Sequence, residues 1–392
     1  MMEMAAPVKF GVRFVVSSNS PGSVVRITAD TASLFTGWGV STAVDYPAVD
    51  WWDFKLFELA RSRGLGRAKQ LVRLGGEAAV GLSLPKRWCG FTHHKADPRI
   101  RALRYGLSPS ARHCSRQEVV VVQPPYLLPH LMRTLPDPGA KLVSALHMNL
   151  EKAVRSQAAA TARWYQDWVE RQRKISIPRY TTSHEAKRAA ERLGIQVRRV
   201  IPDGVDLSLF HPPQRRPAGE KPVVTLYCTA DLQKGQADGL EAVRRLRAEG
   251  LDVRFHALGI VTPGNEPLFD HRYGYLHGEA YAAAVRESDL FMYPSRFDGF
   301  PAPPLQAMAS GCALVTTATD GVTDYAADGL NALVVKPADV AGMSDAVRRL
   351  AGDAGLRGRL EQGGLETARR YDVRATSRQL LEFLQEVYEE KN

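Results

Sequence analysis

The sequence lacks the features by which membrane and secreted proteins are usually recognised. Its 392 residues contain no run of eighteen apolar residues, so no helix long enough to span a bilayer is predicted. The four cysteines (Cys89, Cys114, Cys228 and Cys312) do not have the spacing of a disulfide framework, and we interpret them as free thiols. No basic region precedes the first apolar segment, which argues against a signal peptide. These absences favour a cytoplasmic protein.

A metal-binding pattern is also missing. Five potential ligands lie close together in the sequence, at Cys89, His93, His94, His113 and Cys114. Their spacing does not form the two paired halves of a zinc site, and a basic loop explains them better. We therefore predict no metal site.

Positive charge is concentrated in the first half of the chain. Residues 1–200 carry 31 Lys and Arg against 15 Asp and Glu, whereas residues 201–392 carry 21 against 27. A basic half can face nucleic acid, an anionic membrane surface or an acidic small molecule, but a general preference for arginine would give the same balance. Nucleic acid is the least supported partner, because no aromatic–basic motif or isolated basic helix is present.

Alternating strand and helix patterns predict two parallel-sheet domains. Continuous apolar strands at 8–16, 40–46, 118–123 and 141–147 alternate with helical segments, one of them predicted at 150–175. The alternation restarts after the proline-rich segment 209–221 and includes a helix after 320–321. Residues 85–117, rich in Arg, His and Pro, show no readable pattern. A chain of this length also exceeds one ordinary core. We predict an α/β protein of two doubly wound, Rossmann-like βαβ domains facing across a cleft.

Several polar residues follow strands, where doubly wound domains bind their ligands. Lys234 and Gly235, in the segment DLQKG, precede a helix, so a cation and a helix N-terminus can share one phosphate. Gly22 and Ser23 open a helix after the first strand, in a loop that is neither a G-x-G-x-x-G nor a Walker loop. His147 ends the strand SALH. Taken alone, a plain turn explains Gly22 and Ser23 better, and a solvated lysine explains Lys234 better. For His147 a structural role and a ligand contact are balanced, because the residue lies at a strand exit.

The segment FDGFPAPPLQAMASG (297–311) holds Asp298 and Gln306 eight positions apart. Its prolines are compatible with a helix that begins near Pro303 or Pro304, because the first turn has no hydrogen bond to lose. Gln306 then lies in the first turn and Asp298 in the loop before it, both facing the cleft. The alternative is a surface turn capped by Asp298, although the small residues AMASG favour close packing beneath a ligand.

Four stretches, in the right order, resemble the retaining, nucleotide-sugar-dependent glycosyltransferases of family 4, which have the GT-B fold. PSRFDGFPAPPLQAMASG is similar to the E-x7-E signature, IPDGVDLSLFHP to the I-P-N-G-V-D segment at the domain junction, DLQKG to the diphosphate loop, and SALH to the strand ending in the active-site histidine. The resemblance is strongest over 180–371. It implies an acceptor domain at 1–205, a donor domain at 206–374, and a C-terminal helix, 375–392, that joins the first domain.

The resemblance also implies a role for each matching residue. Asp298 and Gln306 occupy the glutamate positions that meet the donor sugar and the ribose. Lys234 matches the diphosphate lysine and His147 the histidine that contacts the transferred sugar, so His147, Asp298 and Lys234 form the expected catalytic set. Further donor contacts are expected at Gly22, Ser23, Thr229, Gly235, Arg296, Phe300, Pro301, Ala302 and Gly321. No cofactor or metal is implied, and the co-substrate is a UDP- or dTDP-sugar.

The sequence departs from the family pattern at the donor site. Thr229 stands where an arginine normally contacts the diphosphate, and Arg296 is a potential substitute. Pro301 replaces a glycine and removes an amide donor. Asp298 is one methylene shorter than glutamate, and Gln306 lacks the charge that strengthens a hydrogen bond to ribose. A weaker ribose contact favours a deoxythymidine diphosphate sugar.

The function implied is transfer of a hexosyl group, with retention, to a hydroxyl or amine of a natural product, saccharide or lipid. The basic half would lie on the acceptor side, which favours an anionic acceptor or a peripheral contact with an anionic membrane, and no nucleic acid. Two alternatives stay open: a nucleotide-sugar epimerase or hydrolase on the same fold, and a non-catalytic sugar-nucleotide-binding protein. The sequence shows no second carboxylate placed as a nucleophile, so paired-carboxylate hydrolysis is not supported. It does not predict the oligomeric state.

Overall fold

The computed structural model of the chain describes the residues in these ranges: 10–16, 23–47, 101–105, 118–123, 141–147, 166, 169–214 and 221–390. Within them the chain forms two separate sheets, and all the strand pairs in both sheets are parallel. Helices pack against the sheet faces, so the architecture is α/β, as predicted.

The first sheet has seven strands among the described residues. Its strands are β1 (Gly11–Val16), β2 (Thr42–Pro47), β3 (Arg101–Tyr105), β4 (Glu118–Gln123), β5 (Lys141–Leu146), β6 (Arg179–Thr181) and β7 (Arg199–Val200), and its labelled helices are α1 (Ser23–Gly37) and α2 (His184–Arg192). The strand order is β3-β2-β1-β4-β5-β6-β7. The four consecutive valines of β4 have no exposed surface, because a central parallel strand is covered on both faces.

The second sheet has six strands among the described residues, in the order β10-β9-β8-β11-β12-β13. Its strands are β8 (Val223–Cys228), β9 (Arg254–Gly259), β10 (His271–Gly274), β11 (Leu290–Tyr293), β12 (Ala313–Thr317) and β13 (Leu333–Val335). The helices that follow them are α3 (Gln236–Ala248), α4 (Gly278–Arg286), α5 (Ala302–Ala309), α6 (Val340–Gly352) and α7 (Ala354–Arg370).

The last helix, α8 (Val373–Glu389), returns to the first sheet. Its apolar side, including Leu380 and Leu384, is buried in the same cluster as the residues of β1, β4 and β5. The two segments that connect the domains lie side by side, because the Val205 amide donates to the Tyr371 carbonyl (2.8 Å) and the Val373 amide donates to the Val205 carbonyl (2.9 Å). The chain therefore crosses between the domains through one paired strip of backbone.

The carboxyl ends of the two sheets face each other. His184, the first residue of α2, follows β6, and Asp324 lies in a single 3₁₀ turn after β12. The His184 backbone amide donates to Asp324 Oδ2 at 2.8 Å, and the His184 ring nitrogen Nδ1 lies 3.2 Å from the same oxygen. Because these loops follow the carboxyl ends of their strands, the ligand-binding edges of both sheets border one cleft.

The structure departs from the predictions in several elements. The strand β3 lies in an arginine-rich stretch that gave no readable pattern, and the helix expected after 320–321 is only the 3₁₀ turn Val322–Asp324. The helix of the 297–311 segment begins at Ala302, slightly earlier than predicted. The Cys and His cluster at 89–114 and most of the helix expected after 150 lie outside the described residues. The domain limits 1–205, 206–374 and 375–392 stay a prediction.

The described residues contain neither a membrane-spanning helix nor a cluster of metal-ligating side chains. No helix there has the length and apolarity that crossing a membrane requires. His, Cys, Asp and Glu residues form no group of three that could hold a metal ion in the same ranges. Cys228 and Cys312 are buried free thiols, and burial raises the pKa of Cys228 to about 12. Both thiols are therefore packing residues.

The packing of α8 gives a first test. We expect Leu384→Ala to lower the free energy of unfolding by about 2–5 kcal/mol, because Leu384 is fully buried and its loss leaves a cavity. Glu382→Ala, on the exposed side of α8, is the matched control and should change it by less than about 0.5 kcal/mol. Urea unfolding followed by circular dichroism measures both. Equal effects of the two substitutions would show that α8 is not anchored on the first sheet.

Candidate active site

An ion pair joins the loops that follow the neighbouring strands β8 and β11. Lys234 Nζ lies 2.5 Å from Asp298 Oδ2, and the side chains are 26% and 11% exposed. The Tyr293 hydroxyl donates to the same carboxylate oxygen at 2.6 Å. Sequence reasoning selected Lys234 and Asp298 from separate motifs, and the structure brings them into contact across 64 positions of the chain.

Tyr293 was not identified from the sequence, because it lies inside the apolar strand β11. Burial raises its pKa well above the ordinary value, and the charge of Asp298 adds to the shift. The hydroxyl therefore stays protonated and acts as a permanent donor to Asp298. One carboxylate oxygen is thus held by a cation and a neutral donor together, which fixes its position at the cleft edge.

The two loops are also joined through their backbones. The Gln233 carbonyl accepts hydrogen bonds from the amides of Arg296 (2.8 Å) and Phe297 (3.1 Å). Gly235 has a left-handed backbone with φ of 64°, and a Cβ there would lie 2.0 Å from the Pro294 carbonyl oxygen. Only glycine permits this approach. Lys234 is therefore carried by a loop whose position relative to Asp298 is set by the main chain.

Gln236, the first residue of α3, connects two further loops. Its Nε2 donates to the carbonyls of Thr229 (2.5 Å) and Ile260 (3.1 Å). Its Oε1 accepts from the Thr262 amide (2.7 Å) and hydroxyl (2.8 Å). The loops after β8 and β9 are thereby held together. In the sequence, Thr229 was notable only because it replaces the arginine of the family pattern. In the structure, its carbonyl accepts a hydrogen bond from Gln236.

Arg296, the potential substitute for that arginine, is already paired. Its Nε and Nη2 donate to the two carboxylate oxygens of Asp238 at 2.6 and 2.5 Å. This paired geometry raises the pKa of Arg296, so the guanidinium stays charged. The pair connects α3 to the loop after β11 and strengthens the same framework. Contact of Arg296 with a diphosphate would require it to leave Asp238 or share its donors.

The remaining residues of the 297–302 loop are held from below. The Phe300 ring is buried against the rings of Tyr325 and Tyr371, at centroid distances of 5.3 and 5.9 Å. The Tyr325 hydroxyl donates to the Pro301 carbonyl at 2.9 Å. Gly321 lies directly beneath, since a Cβ there would be 2.0 Å from the Gly299 oxygen. The Phe300 side chain is buried, so a contact between Phe300 and the donor substrate would have to be made by its backbone.

The helix that carries Gln306 has an unusual start. The sequence predicted Gln306 in the first turn of this helix. Because α5 begins at Ala302, Gln306 lies in the second turn instead. Pro301, Pro303 and Pro304 have no amide hydrogen, so Ala302 is the single N–H donor from 301 to 304. Such a start binds an anion less well than an ordinary helix N-terminus. An anion bound at this edge would therefore depend mainly on Lys234 and the amides at the start of α3.

His147 lies at the carboxyl end of β5, in the first sheet. Among the described residues neither of its ring nitrogens has a hydrogen-bond partner, and both are shielded from solvent. Burial lowers the pKa of His147 to about 4, so the imidazole is neutral near pH 7. It can therefore donate from one nitrogen and accept at the other. Gly22 lies outside the described residues, and for Ser23 only its place at the start of α1 is described.

The second sheet matches a known family. Residues 222–353, from β8 to the end of α6, match the family described as "Glycosyl transferases group 1". The match covers about a third of the chain, and we call the matched stretch, 222–353, the group 1 domain. It contains the Lys234–Asp298 pair, Tyr293 and the whole 297–311 segment.

The chain is also similar in sequence to individual glycosyltransferases. The chain is 29% identical over 238 residues to an MMP alpha-(1->4)-mannosyltransferase of Mycolicibacterium hassiacum, covering 54% of this chain and 57% of that protein. It is 27% identical over 179 residues to an alpha-D-kanosaminyltransferase of Streptomyces kanamyceticus, covering 43% and 46%. The matches span about half the length of these two relatives.

Solved structures cover nearly the whole chain. A sucrose-phosphate synthase from Thermosynechococcus elongatus superposes with a TM-score of 0.72 at 15% identity, covering 97% of this chain and 99% of that one. Anabaena HepE in complex with UDP superposes with a TM-score of 0.68 at 14% identity, covering 96% and 100%. At these identities the likeness shows the fold, which is the GT-B architecture expected from the sequence.

The close packing in the group 1 domain gives a second prediction. Gly235→Ala should destabilise the domain by at least about 2 kcal/mol more than Gly250→Ala, as followed by thermal unfolding. Both glycines have positive φ, but a Cβ at position 250 meets nothing within 4 Å, so the comparison isolates the contact with Pro294. Equal losses would mean that the loop after β8 moves freely away from Pro294.

Proposed function

We propose that the protein is a retaining glycosyltransferase. It moves a sugar from a nucleoside diphosphate sugar to a hydroxyl or amine of an acceptor bound in the cleft. The contact between Lys234 and Asp298 carries this proposal, because it places a cation for a diphosphate beside a carboxylate for a sugar at the carboxyl edge of the sheet. The group 1 domain match and the mannosyl- and kanosaminyltransferase relatives support it.

The chemistry follows from the charges at this edge. The bond between the sugar C1 and the phosphate oxygen breaks, and negative charge develops on the leaving diphosphate. Lys234 and the amides at the start of α3 stabilise that charge, and Asp298 binds the sugar. The acceptor oxygen or nitrogen forms the new bond at C1 from the same face, and its proton passes to the leaving phosphate.

The donor is proposed to carry uridine or deoxythymidine diphosphate. HepE was solved with UDP and with UDP-glucose, which supports a uridine nucleotide. Gln306 is half-buried, and its side chain makes no hydrogen bond within the described ranges, so its amide is available to a ribose. An amide holds a ribose hydroxyl less strongly than a carboxylate, which favours the deoxy nucleotide. Equal affinity for UDP-glucose and dTDP-glucose by calorimetry would exclude that preference.

The acceptor is proposed to bind on the first sheet and to be anionic or held at an anionic membrane surface. The excess of 16 positive charges over residues 1–200 supports this. Most of residues 50–117, where acceptor contacts are expected, lies outside the described residues.

Product analysis tests the proposal against its alternatives. A thermal-shift panel of nucleotide sugars selects the donor that stabilises the protein most, and that donor is then incubated with candidate acceptors. A transferase forms a glycoside, with the anomeric configuration retained, in step with release of the nucleoside diphosphate. Free sugar and diphosphate in equal amounts would indicate a hydrolase, an altered sugar on the intact nucleotide an epimerase, and binding without turnover a non-catalytic protein.

The role of Lys234 gives a third prediction. Lys234→Ala should lower kcat by about two or more orders of magnitude, because it removes the cation nearest the leaving diphosphate. The variant should stay folded by circular dichroism, with a lower thermal unfolding midpoint because Asp298 loses its cation. Lys336→Ala is the control, since Lys336 is an exposed lysine of the same domain. Turnover of Lys234→Ala near that of the control would remove Lys234 from the mechanism.

A further inference from the structure

A small polar cavity lies at the carboxyl edge of the first sheet, next to the strip that connects the domains. Its volume is about 30 Å³, room for about one water molecule. Its titratable lining residues are His147 after β5, Tyr180 in β6 and Asp203 after β7. The other described lining residues are uncharged: Phe14, Thr28, Thr31, Gln123, Ile201, Pro202, Gly204, Thr376, Ser377 and Leu380.

The wall of the cavity is ordered by a chain of hydrogen bonds. Thr28 donates to Gln123 Oε1 at 2.8 Å, and Gln123 Nε2 donates to the Tyr180 hydroxyl at 2.9 Å. The Tyr180 oxygen keeps a second lone pair, and its own proton needs an acceptor. Burial raises the pKa of Tyr180, and the nearby Asp203 carboxylate adds to the shift. Tyr180 is therefore a fixed, neutral group beside Asp203.

Asp203 lacks a countercharge in the described part of the chain. It is half-buried, and it makes no hydrogen bond or ion pair with any described residue. Burial raises its pKa to about 7. His147 cannot supply positive charge, because its own pKa is lowered to about 4 by burial. A half-buried carboxylate without a cation raises the free energy of the folded protein. A cationic group on a ligand would offset this and would bind more tightly as a result.

We propose that Asp203 and His147 form a subsite for an amino group on the transferred sugar. An ammonium group has three N–H donors, and the cavity offers the Asp203 carboxylate, an imidazole nitrogen of His147 and the free lone pair of Tyr180 as acceptors. A hydroxyl would satisfy at most one of these acceptors as a donor and would leave the carboxylate charge uncompensated. The inference rests on the proposed function, because it assigns this group to the sugar of the donor.

The subsite makes the protein a transferase that prefers amino sugars. Asp203 determines the preference by charge, and His147 positions the amino group by accepting one of its hydrogens. The pH dependence follows from the ionisation of Asp203. Because the pKa of Asp203 is raised to about 7, its carboxylate in the empty site takes up a proton as the pH falls below about 7. The protonated acid no longer attracts a cation. The preference is therefore present near pH 7.5 and lost as the pH falls well below 7.

The experiment compares UDP-glucose with four analogues in which one hydroxyl, at C2, C3, C4 or C6, is replaced by an amino group. Calorimetry measures Kd at about pH 7.5 and about pH 5.5. We expect one analogue to bind about tenfold or more tightly than UDP-glucose at the higher pH, and no analogue to do so at the lower pH. N-acetylation of that analogue removes its charge and should abolish the gain.

Asp203→Asn should reduce the gain to within about twofold, since the amide keeps the shape and loses the charge. Asp206→Asn is the matched control, because Asp206 belongs to the same segment, pairs with Ser208 and does not line the cavity. It should keep the preference. A preference that survives in Asp203→Asn, or amino analogues that bind no more tightly than UDP-glucose, would overturn the subsite.

The pH comparison in the wild-type protein tests the subsite even where Asp203→Asn does not fold. UDP and dTDP without a sugar separate this inference from the proposed function. Nucleotide binding without an amino preference would overturn the subsite alone. Absence of binding by both nucleotides and their sugars would overturn the proposed function and the subsite with it.

Discussion

The contact between Lys234 and Asp298 is the interaction on which the candidate site depends. Each residue belongs to a loop after a different strand, and the loops are joined by backbone hydrogen bonds to Gln233. Tyr293 then fixes the carboxylate from inside the sheet. Because a partly shielded ion pair is stable only when its remaining groups are satisfied, the surrounding contacts decide whether the pair holds its place.

The same framework surrounds the diphosphate site that we propose, which has fewer donors than the family pattern implies. Three prolines remove amides from the start of α5, and Arg296 is paired with Asp238. The loop after β8, which carries Lys234, is correspondingly well fastened by Gly235 and Gln236. These neighbours hold the backbone of Lys234 in place, which is the preorganisation that the proposed stabilisation of a leaving phosphate requires.

Backbone and side-chain contacts join the two domains. The paired backbone at Val205 and Tyr371 connects them, and His184 reaches Asp324 across the cleft. The polar cavity with Asp203 and His147 lies beside this connection, so a sugar bound there touches the residues that link the domains. The proposed sugar subsite is therefore adjacent to the backbone strip that connects the two domains.

Features that depend on neighbouring residues in the chain, such as buried strands and helix starts, were predictable from the sequence. The valines of β4 were identified because a fully buried strand needs a continuous apolar run, and Lys234, His147 and Asp298 because they follow strands. The helix start at 302 was predicted closely from its prolines. By contrast, β3 carries arginines that hide its pattern, and the roles of Tyr293, Gln236 and Asp203 depend on partners far along the chain. Contacts between residues far apart in the chain cannot be predicted from the spacing of residues in one sequence.

The proposed function requires Lys234, which is paired with Asp298 here, to bind the diphosphate of the donor. A crystal structure of the protein with UDP measures this directly. The account predicts Lys234 Nζ within hydrogen-bond distance of a phosphate oxygen, about 2.7–3.2 Å, with the nucleotide against the start of α3 and Asp298 left facing the sugar position. UDP bound elsewhere, with the Lys234–Asp298 pair intact, would contradict it.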